Sequence, residues 1–540
     1  MCSINRKTTI YIDRFTFQGD SGMENKRRFL WQGLLMTGVS LLLRSAGVSA
    51  QIIVASKIGA EAVGISALIG GVGGFAVTLA LSGIQPGCVR LISQALGKQD
   101  HPSARRALLC CVLHALLFGS VAGLLLFVGS GPIGTRWIGD ARVVSSLRIL
   151  ALTLPSIALS SCLSGYFVAV RRVYKSAFVQ VFEEGFRIGC TVILLNLMAE
   201  HGIESALLAL AISNALSDIV CAVSLSLLCI HDQRRLFKTG EDHPSFSILH
   251  TMKQLLSITL PIAIAAYARS GLITLEHSLI PRQLQLFGMD HAAALSAYGR
   301  VQSMALPILL FPCALLWSFA GLLVPEITEA HVRSEKTRIH FIMQRVFSLT
   351  LFFAIGASGI MIAFSEELGL VLYQSTEVAQ IIRWLAPLIP VMYLDSATDA
   401  MLKGLGEQVY SMKVNIIDSL ISVLLVWLLL PRFGIYGYII TIYVTELLNA
   451  ALSILRLLNI GEMSPCLTAW IVKPVGAIVG ATCLTRLLYP CLVSPTAPFP
   501  GTVGLVVLII TVLFLYVTFL LLLGAIQKKD ARWLKSFFYR

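Results

Sequence analysis

Residues 502–526 read TVGLVVLIITVLFLYVTFLLLLGAI, a run without one charged side chain. A helix rises about 1.5 Å per residue, so a run of this length covers the ~30 Å of hydrocarbon in a bilayer. Backbone N–H and C=O groups find no water there, so the run must satisfy them internally as a helix. A membrane β-barrel would show alternation instead of a solid apolar block. Working back from this run, further apolar spans lie at 30–56, 62–85, 107–130, 145–170, 176–199, 205–230, 254–280, 292–325, 339–364, 378–402, 409–430, 434–456 and 466–489. The composition agrees: 56% of the 540 residues are hydrophobic, 13% are charged, and the mean hydropathy is +0.80. A soluble chain keeps about a quarter of its residues charged. The chain therefore reads as an all-α, polytopic membrane protein of about fourteen transmembrane helices, with no gap long enough for a soluble enzyme module.

Orientation follows from the basic residues. With the N-terminus in the cytosol, the cytosolic segments carry most of the lysine and arginine, including Lys26-Arg27-Arg28, Arg105-Arg106, Arg171-Arg172, Arg234-Arg235 and Lys528-Lys529. The outer loops carry few, as the positive-inside rule requires. Both termini are then cytosolic, and the net charge of +13 is a topology signal that calls for no nucleic acid.

The twelve cysteines form no framework: Cys110, Cys111, Cys190, Cys221 and Cys313 sit in apolar spans, and Cys466 and Cys491 flank one span near opposite faces. No CxxC pair, His/Cys cluster at metal spacing, nucleophile motif or glycine-rich phosphate loop is present. The sequence thus predicts no metal, no cofactor and no catalytic residues.

An internal repeat organises the chain. Arg44-Ser45 with Gln51 in the first span matches Arg269-Ser270 with Glu276 in the seventh. Val173-Tyr174 opens the fifth span and Val409-Tyr410 the eleventh, while His201-Gly202-Ile203 precedes the sixth and Phe433-Gly434-Ile435 the twelfth. Offsets of 225, 236 and 232 in one order divide the chain into a cytosolic segment 1–29, a six-helix lobe 30–230, a cytosolic linker 231–253, a second six-helix lobe 254–456 and a helix pair with its cytosolic tail, 457–540. Six is even, so both lobes enter the membrane in the same sense, a parallel repeat. Transporters of this build hold their substrate between the halves and rock them.

Arg90-Leu-Ile-Ser-Gln-Ala-Leu-Gly-Lys98, running on to Ala104-Arg105-Arg106, resembles the segment after the second helix in the multidrug/oligosaccharidyl-lipid/polysaccharide flippase superfamily. Leu323-Val-Pro-Glu-Ile-Thr-Glu-Ala330 is similar to the matching segment of its stage V sporulation protein B and polysaccharide transporter branch. The extra helix pair also fits lipid-linked sugar flippases better than twelve-helix drug extruders. The resemblance implies a flippase in the bacterial cytoplasmic membrane for a lipid-linked, anionic oligosaccharide or peptidoglycan precursor, in cell-wall, envelope or spore synthesis.

Arg44 and Arg269 fall near the membrane midplane, where an arginine costs at least ~2.5–3.5 kcal/mol and must face water or a counter-ion. One guanidinium fork per lobe suits a diphosphate head group; a pairing with Glu276 is the alternative. Arg44, Arg269, Gln51 and Glu276 are the candidate substrate-binding residues. Glu183, Glu184 and Arg187 lie at helical spacing in the fifth span and are the candidate ion-coupling set, with a proton or sodium as coupling ion; an internal ion pair with Arg187 is again the alternative. Asp218, Asp395, Asp399, Asp418 and Glu446 add acids to later spans, with Asp395 and Asp399 spaced to project the same way. Gly70-Gly71, Gly73-Gly74, Pro307 and Pro312 mark places where helices pack closely or bend. The numerous intramembrane acids also fit a second function, a cation-coupled multidrug antiporter.

Overall fold

The computed structural model describes residues 21–98, 100–198, 201–236, 248–461, 468–492 and 501–525. The described chain is helical throughout, without a strand. The first part comprises α1 (Ser21–Leu81), α2 (Ile84–Gly97), α3 (His101–Pro132), α4 (Val143–Ala169), α5 (Val173–Met198) and α6 (Ile203–Leu236). Next come α7 (Ile248–Leu286), α8 (His291–Gly299), α9 (Leu306–Leu310), α10 (Cys313–Val332), α11 (Lys336–Ala363), α12 (Ser365–Tyr373), α13 (Thr376–Leu385), α14 (Ile389–Gly404), α15 (Gln408–Phe433) and α16 (Ile435–Gly461). The pair α17 (Lys473–Leu492) and α18 (Gly501–Leu522) closes the described chain. Among the described residues, 11 helical stretches are long and apolar enough to cross a membrane. The protein is a multi-span membrane protein.

The expected span 30–56 lies in α1 and 62–85 runs from α1 into the first residues of α2; α1 itself breaks at Gly59 (φ 79°, ψ 171°). Before it, Gln51 reaches Ser303; after it, Gly64 abuts Leu295 and Gly299, so both arms run alongside the same segment. The expected span 292–325 is α8, a π-helical stretch Arg300–Ala305, α9 and α10, broken at the prolines. Pro307 sits where α9 begins and Pro312 just before α10. A further difference lies between 364 and 388, where α12 and α13 form a short hairpin at one end of the bundle.

The first part packs α3 on α4, α4 on α6 and α5 on α6; the second packs α7 on α15, α15 on α16, and α14 on α10, α11 and α16. The two parts meet along α1 against α7 and α8. The α17–α18 pair docks on α11, where the Tyr516 hydroxyl donates to the Phe352 carbonyl at 2.7 Å. Facing outward is a continuous apolar skin: Leu109, Leu113, Leu117, Leu124 and Val128 stand exposed along α3. Such a surface has no place in water and suits lipid. Gly202 (φ 106°) and Gly434 (φ 56°) stand immediately before α6 and α16.

Candidate functional site

The seam between α1 and α7 carries a ladder of polar contacts. Thr78 donates to Ser270 Oγ at 3.2 Å, Thr274 donates to the Gly71 carbonyl at 3.0 Å, and Tyr267 reaches Ser82. Gln51 Nε2 donates to the Ser303 carbonyl at 3.0 Å. That carbonyl lies in the π-helical stretch, where i→i+5 bonding departs from the regular ladder. Gln51 thus joins the two lobes at the break in the eighth span. Arg44 lies on α1, but its side chain is outside the described residues, as are those of Lys26-Arg27-Arg28, Arg234-Arg235 and Lys528-Lys529.

Arg269 and Glu276 are seven residues apart on α7 and share one stripe. Among the described residues no ion pair joins them: Ser422 of α15 donates to Glu276 Oε1 at 2.5 Å. Asp418 lies on α15, which packs on α7, and Asp395 on the neighbouring α14. Each of those carboxylates keeps one buried oxygen, Oδ1, with no hydrogen-bond partner. Asn449 donates weakly to Asp395 Oδ2 at 3.5 Å, and Glu446 on α16 adds a further acid to the cluster. Asp399, expected to project with Asp395, is held separately by Lys403 at 2.5 Å and by Ser411. The helices α7, α14, α15 and α16 thus carry the four carboxylates Glu276, Asp395, Asp418 and Glu446 as well as Arg269.

In the first lobe, Glu183 and Glu184 part company. Glu184 pairs with Arg187 one turn on, and lies 3.7 Å from where a Cβ on Gly47 of α1 would stand. Glu183 instead faces Asp218 of α6 across a cavity of about 230 Å³, lined also by Gln85, Ser160, Ser164 and Gln180. Sequence reasoning did not single out that polar lining. Its signal was Ser160, Ser161 and Ser164 on one face of an otherwise apolar span. No cluster of three or more His, Cys, Asp or Glu able to hold a metal ion occurs among the described residues.

The seam is sealed at the end bearing Gly59, Gly139 and Gly288. Arg142 donates to Asp140 through Nε (3.0 Å) and Nη2 (2.7 Å) and to Glu61 at 2.7 Å, tying the α3–α4 loop to α1. His291, the first residue of α8, stands 3.6 Å from Asp140 Oδ2 and brings the second lobe into the cluster. Burial pushes the Asp140 carboxyl up, but the Arg142 guanidinium outweighs it and holds the group below the usual carboxylate range. Arg142 is raised in turn, chiefly by its bonds to Asp140. Next to this cluster α1 and α8 cross with Gly64 against Gly299.

The fold is similar to that of a structure described as lipid II flippase MurJ, inward closed conformation: TM-score 0.62, 14% identity, covering 90% of this chain and 98% of that one. It is likewise similar to an inward-facing multidrug resistance MATE family transporter of the MOP superfamily, with TM-score 0.61, 14% identity, and coverage of 80% and 100%. Stage V sporulation protein B of Bacillus subtilis (strain 168) is 25% identical over 421 residues, 76% of this chain and 80% of the relative. Sporulation protein YkvU of the same organism is 24% identical over 253 residues, 47% of this chain and 56% of its own length. The MatE family profile matches residues 286–428. The profile described as Polysaccharide biosynthesis protein matches residues 30–315, more than half of the chain, so the chain belongs to the polysaccharide biosynthesis protein family.

Proposed function

We propose that the chain is an alternating-access flippase that moves a lipid-linked, anionic cell-wall precursor or oligosaccharide across the bacterial cytoplasmic membrane. The reading rests on Arg269 of α7, beside the Ser270 that accepts from Thr78 of α1, and on Arg44 of α1, which holds the matching place in the sequence repeat. An arginine pair divided between two moving bodies can grip a phosphate-bearing head group and release it when the bodies rock. The names of the relatives, a spore-formation protein and a lipid II flippase, support the substrate class.

In this reading the chain makes fourteen crossings in two six-helix lobes, 30–230 and 254–456, with both termini cytosolic. The sealed end is then the outer one. The fold also agrees better with the inward-facing form of the MATE transporter (TM-score 0.61) than with its outward-facing form (0.54). Glu183 with Asp218, and the acids around Arg269, are the groups that would take up a coupling proton or sodium ion. The same acids favour the second reading, a cation-coupled multidrug antiporter.

The test is flipping of a lipid-linked precursor by the purified chain in vesicles, with Arg44→Ala and Arg269→Ala alongside. A charge-assisted phosphate contact contributes about 1.5–3 kcal/mol, so each variant should bind the precursor roughly ten- to a hundredfold more weakly. Arg→Lys should recover only part, because it keeps the charge and loses the fork. Full flipping by both alanine variants, or cation export unaided by any precursor, refutes the assignment.

A further inference from the structure

Where α4 turns into α5, the chain closes the helix with paired reverse hydrogen bonds: Arg171 N donates to the Val168 carbonyl at 3.1 Å and Arg172 N to that of Phe167 at 2.8 Å. This closure places Arg171 in the left-handed region, φ 58°. Glycine takes that position in most such turns, since any side chain there is strained. The second lobe makes the same turn after α14: Gly406 N donates to the Lys403 carbonyl at 3.2 Å and Glu407 N to that of Leu402 at 2.9 Å, with Gly406 at φ 82°. Residue for residue, Arg171 stands where Gly406 stands. The ion pair beside the turn is reversed as well. Arg172 pairs with Asp232 of α6 in the first lobe; Glu407 pairs with Arg456 of α16, at 2.8 Å, in the second.

Positive charge accumulates at the first turn. Asp232 is fully buried and accepts from Arg172, Lys175 and the Tyr166 hydroxyl, so one carboxylate serves two cations. Among the described residues Arg171 has no ion-pair partner. The Asp100 carboxylate nearby accepts from Ser103 N at 2.9 Å as the cap of α3. Arg171 and Arg172 line a cavity of about 390 Å³ whose other wall is Ser93, Gly97 and His101, from the end of α2 and the start of α3. A topology signal does not need this arrangement. The matching turn after α14 uses glycine and glutamate instead.

We propose that this cavity binds a phosphate group, with Arg171 and Arg172 gripping its unesterified oxygens and Ser93 at the opposite wall. Arg171 is exposed at this cavity, and arginines near a membrane surface attract anionic head groups. The site is separate from the seam between α1 and α7 and does not depend on the flippase reading.

The experiment uses the full chain with Ser93→Cys, labelled by uncharged N-ethylmaleimide and read by mass spectrometry of the peptide carrying residue 93. Phosphatidylcholine vesicles are compared with vesicles containing phosphatidylglycerol, and separately with phosphatidylcholine vesicles plus inorganic phosphate. One charge-assisted contact corresponds to roughly a tenfold change in occupancy, and labelling should slow by about that factor. Slowing by the anionic lipid alone identifies a head-group site; slowing by inorganic phosphate as well identifies a site for the free anion. Arg171→Gly, which installs the residue of the sister turn, should fold at least as stably in phosphatidylcholine and abolish the slowing. Either of two results overturns the proposal: no slowing by either probe, or the same slowing in Arg171→Gly.

Discussion

Gly64 of α1 and Gly299 of α8 meet backbone to backbone. A methyl group built on Gly64 would stand 2.1 Å from the Leu295 carbonyl oxygen, and one on Gly299 would stand 2.5 Å from that of Ala60. No side-chain rotation relieves a clash with backbone, so the helices must separate. Gly64→Ala and Gly299→Ala should each lower stability by about 1–3 kcal/mol, the usual cost of overpacking. A cysteine at Ser303, beneath the crossing, should become more reactive from the sealed end in both variants. Unchanged reactivity and melting would show that the lobes do not rest on this crossing.

The Asp140 cluster gives a pH dependence whose sign is fixed. Its carboxyl is held below the usual range in the folded chain and titrates near 3.9 when unfolded. The contribution is therefore complete above about pH 4 and is lost as pH falls through the depressed native value. Asp140→Asn should lower the melting temperature at neutral pH and flatten the acid limb below about pH 4. A wild-type acid limb retained in Asp140→Asn would assign the effect to other carboxylates.

Glu183 and Glu184 should separate cleanly. Glu184→Gln breaks the pair with Arg187 and should cost stability, within the ~0.2–1 kcal/mol measured for accessible pairs because Arg187 is 39% exposed. Glu183→Gln, facing a polar cavity, should leave melting unchanged and alter the dependence of transport on an applied proton or sodium gradient. Equal loss of stability in both would make the pair a packing element.

Glu276 takes its hydrogen bond from Ser422 and forms no ion pair with Arg269 among the described residues, so Asp418, on the packed helix α15, is the partner for a double variant. If the arginine only neutralises its neighbours, Arg269→Ala with Asp418→Asn should regain the stability and flipping that Arg269→Ala loses. Glu276→Gln should give no such rescue. If Arg269 grips the substrate, stability returns in the double variant and flipping does not.

Run length and polarity suffice to read α3, α4, α6, α15 and α18 from the sequence, because lipid leaves a long apolar run one conformation. The breaks at Pro307 and Pro312 are equally legible, since proline removes a donor wherever it stands. The π-helical stretch Arg300–Ala305 is not, because it differs from a regular turn by one shifted bond and no residue type marks it. The site was legible as a set of residues but not as a set of pairs. Glu276 takes its bond from Ser422, 146 residues away, and spacing along α7 cannot report that. Likewise Asp395 and Asp399 share a stripe, yet Lys403 and Ser411 draw Asp399 away.

The reversed ion pairs at Arg172–Asp232 and Glu407–Arg456 bear on how such a chain could be rebuilt. A protein assembled from two copies of the first half would carry two arginine-rich corners and two fully buried aspartates. One assembled from two copies of the second half would carry neither. Both would keep the same turns, since their backbone hydrogen bonds match. The two turns are thus alike in backbone and opposite in charge, so a transporter reduced to one repeated half would inherit the turn while losing the distinction between its two corners.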